Sequence, residues 1–232
     1  MAEVILRPKK IRRILFVLIA VFTVAHFVGG LSFVYFGTHA GFGIFDLNEE
    51  ETVPTLFQSS LWLVASGLTA IIAYLKKKGN EKFALHWKGL AVLFLFLAID
   101  ETVTLHERLG EFFHKMLHTS GFLYYAWIIP YGVLLIGFGA AYARFVFHLP
   151  QRSRILLALA GVIYVGGALG MESFEGYYFT LHGQNNPMGV VLVAIEEVCE
   201  MIGVVLCQFA LMTYLSTEYN GVQITVSSPP AS

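Results

Sequence analysis

The stretch from Gly89 to Glu107, GLAVLFLFLAIDETVTLHE, decides the fold class, because an apolar run passes directly into acidic residues. A helix needs about 20 mostly apolar residues to cross the roughly 30 Å hydrocarbon layer. An ionised side chain at the bilayer centre costs roughly 2.5–3.5 kcal/mol, so acids there point to a function. We therefore predict a transmembrane helix that carries functional acids.

The whole chain has the composition of a membrane protein. Of its 232 residues, 56% are hydrophobic and 13% charged, with a mean hydropathy of +0.68. Unsatisfied backbone groups are costly in lipid, and the apolar runs here have helix length rather than strand alternation. We predict an all-α, polytopic transmembrane helix bundle. The net charge of −1 gives no basis for binding nucleic acid.

Six apolar stretches are long enough to be spans. They lie near residues 14–36, 55–75, 89–109, 121–147, 155–178 and 188–215. We predict one transmembrane domain over residues 1–216 and, because the end of the chain is polar and rich in Pro and Ser, a disordered cytoplasmic tail over 217–232.

Basic residues predict the orientation. If the N-terminus is cytoplasmic, only Arg108 and Lys115 of the 15 Lys and Arg residues lie on the outer side. Cytoplasmic loops are enriched in Lys and Arg, so both termini are expected in the cytoplasm. We predict a multi-pass protein of the inner (plasma) membrane with membrane lipid as its partner; protein partners stay open.

Eight acids interrupt the predicted third, fifth and sixth spans. They are Asp100, Glu101, Glu107, Glu172, Glu175, Glu196, Glu197 and Glu200. At about 1.5 Å per residue, all three spans place their acids between the midplane and the outer surface. In a continuous helix, Asp100, Thr104, Glu107, Glu111 and His114 would form one polar stripe. We expect the acids of the three spans to meet.

The charge of these acids requires a counterpart. Arg108 could pair with Glu101 but cannot balance the others, which leaves protons, a bound metal or a water-filled cavity. His106 is adjacent to Glu107, and His26 of the first span lies at the depth of the acids. Carboxylates with imidazoles suit Fe, Mn or Zn.

We therefore predict a site for one or two divalent metal ions. The predicted ligands are Asp100, His106, Glu107, Glu172, Glu197, Glu200 and His26. Glu101 and Glu196 are the predicted catalytic residues, as general base or as partners of the ligands.

Other polar residues near the outer surface are expected to have structural roles. Solvation explains Glu111, His114 and Glu175, and the acids at 49–51 favour the start of a helix. Asn48 is expected to cap the second span.

Two further functions remain open. Intramembrane acids also mark ion pathways, so a proton or cation transporter or channel is one alternative. A structural or accessory membrane subunit, with its acids protonated and hydrogen-bonded together, is the other.

Three motifs contain these acids: Ala98-Ile-Asp-Glu-x4-His-Glu107, Gly167-Ala-Leu-Gly-Met-Glu172 and Glu196-Glu-x-x-Glu-x-x-Gly203. They resemble motifs of uncharacterised prokaryotic multipass membrane proteins. The resemblance implies a shared helical bundle and shared acidic positions, but no substrate, cofactor or reaction. The chain lacks the clustered histidines of the alkaline ceramidase type. It also lacks the Arg that follows the paired glutamates of intramembrane CAAX-type proteases.

Overall fold

The computed structural model describes residues 7–219, and this part of the chain is helical and has no strand. The eight α-helices are α1 (Pro8–Phe36), α2 (Val53–Lys78), α3 (Ala84–Val103), α4 (Leu105–Leu117), α5 (Ile128–His148), α6 (Gln151–Val165), α7 (Glu172–His182) and α8 (Pro187–Glu218). One π-helical segment, Gly166–Met171, joins α6 to α7. The all-helical prediction is confirmed. Residues 220–232 of the predicted tail lie outside the described residues.

Four helices are long and apolar enough to cross a membrane. They are α1, α2, α5 and the continuous helix Gln151–His182, which includes α6 and α7. Helices α3 and α4 pass the same test only as a pair bent by 73°. Several helices are thus long and apolar enough to cross a membrane, as expected of a membrane protein. The count of six spans and the orientation stay predictions.

Helix α8 forms the centre of the bundle. It packs against α1, α2, α6, the π-helical segment and α7. Its second half is buried almost throughout, with Met201, Val204 and Leu211 fully enclosed. This helix begins at a Pro, where a missing N–H costs nothing, and Asn186 caps it by accepting a 3.0 Å hydrogen bond from the Gly189 N–H.

The predicted third span is not one helix. Thr104 has a left-handed backbone conformation (φ 52°, ψ 43°), which separates α3 from α4. The predicted polar stripe from Asp100 to His114 is therefore wrong, because the two halves point in different directions. Thr104 follows Thr102 and Val103, and such β-branched residues are weak helix formers. The Asp100 side chain accepts a 2.9 Å hydrogen bond from the His106 N–H, which would otherwise have no partner in the first turn of α4.

The start of the second span also differs from the prediction. Thr52, not Asn48, caps α2, since its side chain accepts a hydrogen bond from the Thr55 N–H. Residues 37–52 instead form a connection between α1 and α2 that contains one short 3₁₀ helix, Gly43–Phe45. This connection includes the acids that we expected to be the helix start.

Lys76 and Arg12 lie at the end of the bundle opposite the acids of the spans. Lys76, at the end of α2, pairs with Glu81 and lies against the rings of Tyr214 and Tyr219 near the end of α8. Arg12 of α1 lies 4.2 Å from the centre of the Phe209 ring. The start of α1, the end of α2 and the end of α8 are thus at one end.

Two glycines offer a matched test of the packing around α8. A Cβ at Gly203 would lie 2.7 Å from the Tyr164 Cβ and 2.8 Å from its backbone N, whereas a Cβ at Gly161 would meet nothing within 4 Å. We expect Gly203→Ala to lower the free energy of unfolding by about 1–3 kcal/mol through overpacking. Gly161→Ala should be neutral or stabilising, because Ala favours helix. Thermal unfolding in detergent measures both, and equal effects would contradict this packing.

Candidate metal centre

A cavity of about 140 Å³ lies among α3, α4, the π-helical segment, α7, α8 and the connection before α2. All seven acids predicted as ligands or catalytic residues line it. Glu50 and Glu175 line it as well, and no lining residue is Lys or Arg. The expectation that acids of separate spans meet is confirmed, while their individual roles stay predictions.

The closest cluster in the cavity is formed by Glu50, His106 and Glu107. One potential ligand atom from each lies within 4.8 Å of the other two. Across residues 7–219 this is the one group of three His, Cys, Asp or Glu residues with such spacing. A metal with ligands about 2.0–2.2 Å away requires ligand atoms this close to one another.

Asp100 holds His106 in place instead of joining this cluster. Its Oδ2 lies 3.3 Å from the His106 Nδ1, and its Oδ1 accepts hydrogen bonds from the His106 N–H (2.9 Å) and the Tyr131 hydroxyl (3.0 Å). This leaves Nε2 as the ring nitrogen available to an ion. A carboxylate behind a histidine is the usual partner that orients a metal ligand. Asp100 was predicted as a ligand, and the structure gives it this supporting position.

The deeper acids are held by neutral donors. The Gln58 amide donates to Glu200 (2.8 Å) and Glu101 (3.3 Å), and the Trp127 indole donates to Glu172 (2.9 Å). None of these deep acids belongs to the close cluster. The predicted ligands Glu172, Glu197 and Glu200 therefore line the same cavity at wider spacing.

The burial of Glu175 differs from what the sequence analysis predicted. We expected it to be solvated near the outer surface, but only 2% of the residue is exposed. The Tyr125 hydroxyl donates a 3.0 Å hydrogen bond to its Oε1. The segment before α5 covers this position, because Gly121, Tyr124 and Tyr125 lie directly against Gly176, the residue after Glu175.

His26 lies outside the cavity and supports the connection that contains Glu50. Its Nε2 donates to the Val190 carbonyl (3.1 Å), and its Nδ1 lies 3.0 Å from the Asp46 Oδ1 and 3.1 Å from the Leu47 N. Both ring nitrogens are engaged, so the predicted role of His26 as a ligand is not supported. Hydrogen bonds from His26 and the Asn48 N–H outweigh burial and hold the pKa of Asp46 below its ordinary value.

Glu50 is the candidate metal ligand that the sequence analysis missed. It lies in an acidic run that is well explained as an exposed helix start, and the residue pattern shows no contact with α4. Burial, followed by repulsion from Glu107, raises the pKa of Glu50 to about 7. A carboxyl group that ionises this reluctantly next to another acid would be stabilised by a cation.

A close helix approach brings the acids of α8 to the cavity. A Cβ at Gly167 would lie 2.9 Å from the Glu196 carbonyl oxygen and 3.0 Å from the Cys199 Cβ. Gly167 lies in the π-helical segment, and such segments are frequent at functional sites. Glycine here lets α8 approach the α6–α7 helix closely enough for both to line one cavity.

The residues from 14 to 215 match the family described as "Domain of unknown function (DUF8692)". The chain belongs to this family. No curated protein and no solved structure matches the chain. The family covers every predicted span and both α4 and α8, but its description assigns no reaction.

The raised pKa of Glu50 predicts how the metal-free protein responds to pH. The pKa of Glu50 in the folded protein, about 7, lies above the ordinary value of 4.5. Protonated Glu50 therefore stabilises the folded protein at low pH, and this stabilisation is lost as the pH rises through 7. In EDTA, we expect a lower melting temperature at pH 8 than at pH 5.5. Glu50→Gln should reduce this difference, because Gln does not ionise.

Glu111→Gln is the control for this experiment, since Glu111 is a carboxylate of α4 whose side chain is 74% exposed. It should leave the pH dependence of the melting temperature unchanged. Equal pH dependence in wild type and Glu50→Gln would contradict the assignment.

Proposed function

We propose that the protein is a metal-dependent membrane enzyme whose divalent ion is bound by Glu50, His106 and Glu107. The observation that carries the proposal is the close spacing of these three groups, with Asp100 behind the imidazole. The acids of the remaining cavity surround the position where a substrate would meet the ion. The substrate is proposed to reach the site from the lipid phase or from the periplasmic face.

The ligand set favours a catalytic ion over a structural one. One imidazole and two carboxylates suit Zn, Mn or Fe(II). Three protein ligands leave at least one coordination position for water or substrate, as catalytic sites do. A bound ion there would supply Lewis acidity and lower the pKa of a coordinated water. The close cluster accounts for one ion, whereas the sequence analysis also allowed two.

The carboxylates of Glu101 and Glu196 are the proposed proton acceptors. Both line the cavity. The Gln58 amide donates to Glu101 and limits its movement. Both carboxylates therefore border the space where a substrate bound to the ion would lie, as a general base must.

The location of the cavity supports a site that opens outward. The cavity lies at the opposite end of the bundle from Lys76. We expect the end that contains Lys76 to face the cytoplasm, because cytoplasmic segments are enriched in Lys and Arg. At its mouth, Asn48 and Glu107 are exposed. An inner (plasma) membrane location therefore gives a site near the periplasmic surface.

The apolar part of α8 below Glu200 favours an enzyme over a transporter. Transport needs a polar route from the cavity to the opposite side. Below Glu200, the buried residues that face the core include Val204, Val205 and Leu211, which close the centre of the bundle. We expect no proton or divalent cation flux into proteoliposomes above that of protein-free vesicles. A flux that Glu200→Gln abolishes would favour the transporter over the enzyme.

Metal content tests the proposal. Protein purified without chelator is expected to contain about one Zn, Mn or Fe per chain by elemental analysis. Glu50→Gln and His106→Ala should lose the ion, because two ligands remain. Asp100→Asn should weaken binding by roughly 10–100-fold, since the imidazole loses its orienting carboxylate.

The matched control is Glu111→Gln in the exposed part of α4, which should retain the wild-type metal content. Wild-type protein without stoichiometric metal, and with the same melting temperature before and after EDTA, would exclude the metal site.

A further inference from the structure

The deep part of the cavity contains more carboxyl groups than the close cluster uses. Apart from Glu50, Glu107 and Asp100, six carboxylates line the cavity: Glu101, Glu172, Glu175, Glu196, Glu197 and Glu200. Their hydrogen-bond donors are neutral groups such as the Gln58 amide and the Trp127 indole. Neutral donors reduce the cost of burying a charge but do not balance it.

We propose that this deep part of the cavity binds the primary ammonium group of an organic ligand. As the binding group of a substrate, the amine rests on the proposed function. As a ligand, it can be measured on protein without metal.

The spacing of the deep acids disfavours a second metal ion. In the described part of the chain, they form no group of three with ligand atoms within 4.8 Å of one another. An ammonium nitrogen lies about 2.7–2.9 Å from each carboxylate oxygen, compared with about 2.0–2.2 Å for a small divalent ion. An ammonium does not need three carboxylates, because a neutral oxygen such as the Gln58 Oε1 also accepts one of its hydrogen bonds.

Two buried oxygen atoms favour a ligand with N–H donors. The Gln58 Oε1 and the Glu175 Oε2 have no hydrogen-bond partner among residues 7–219, and both residues are only 2% exposed. The Gln58 amide nitrogen is directed at two carboxylates, which leaves its oxygen as an acceptor. Leaving such buried acceptors unpaired destabilises the folded protein. A primary ammonium offers three donors, whereas a quaternary ammonium offers none.

Aromatic side chains complete the chemistry of an amine site. Tyr125, Trp127, Tyr131 and Tyr164 line the cavity together with the acids. The faces of such rings attract cations, and the rings keep water away from the charges. This combination of acids and aromatic rings selects a positive organic group over an anion or a neutral molecule.

The size of the cavity limits what enters it. A cavity of about 140 Å³ is close in volume to cavities of about 150 Å³ that bind one benzene molecule. It holds an aminoalkyl group of a few heavy atoms, and the rest of a larger ligand must extend past Asn48 and Glu107 at the mouth. The amine could therefore belong to a lipid headgroup or to a small water-soluble molecule.

Calorimetric titration of the detergent-solubilised full chain in EDTA tests the site. The probes are n-butylamine, its neutral analogue n-butanol, tetramethylammonium and dodecylamine. We expect butylamine to bind once per chain, with butanol and tetramethylammonium at least about tenfold weaker because they lack the charge or the N–H donors. Dodecylamine at least tenfold tighter than butylamine identifies a membrane-borne amine, and equal affinity identifies a water-soluble one.

Two isosteric variants locate the bound amine. Glu175→Gln and Glu200→Gln should each weaken butylamine about tenfold or more, while Glu111→Gln, on the exposed face of α4, should not change it. Absence of butylamine binding to wild-type protein, equal binding of butanol, or unchanged affinity in both deep variants would overturn the proposal. Melting temperatures of the variants confirm that they fold.

Metal analysis of the same variants separates this inference from the proposed function. Glu175→Gln should keep its metal and lose amine affinity, and Glu50→Gln should lose its metal and keep amine affinity. If Glu50→Gln retains metal while butylamine binding depends on Glu175, the proposed metal site fails and the amine site stands.

Discussion

The structure depends on one electrostatic constraint, which is the cost of holding many carboxylates inside an apolar bundle. Nine carboxyl side chains line one cavity of about 140 Å³, and no Lys or Arg side chain lines it. Hydrogen bonds from Gln58, Tyr125 and Trp127 reduce this cost, but they do not remove the charge. We propose that a bound cation supplies the positive charge that the neutral donors cannot.

Two local features give the cavity its close cluster. The left-handed residue Thr104 ends α3, so the first turn of α4 presents His106 and Glu107 from a new direction. The connection that contains Glu50 is fastened to the bundle by Asp46 and His26. Each feature is stabilised by hydrogen bonds of its own, and the spacing of the three candidate ligands follows from both.

Helical periodicity and depth could be predicted from the sequence, and they placed the acids of α3, α7 and α8 in one zone of the bundle. The break at Thr104 could not, because three β-branched residues only weaken a helix and the hydrogen bonds of Asp100 decide where it ends. Glu50 and Glu175 were missed for a related reason. Their burial is produced by two different connections, residues 37–52 for Glu50 and residues 118–127 for Glu175, and such tertiary contacts leave no periodic signal.

The most direct measurement of the central claim is anomalous X-ray scattering from a crystal of the full chain purified without chelator. Data collected on both sides of the Zn, Mn or Fe absorption edge show where such an ion lies. We expect a strong peak between Glu50, His106 and Glu107, with Asp100 hydrogen-bonded to the other nitrogen of the imidazole. A cavity without a peak at any of these edges, in crystals whose protein is folded and intact, would contradict it.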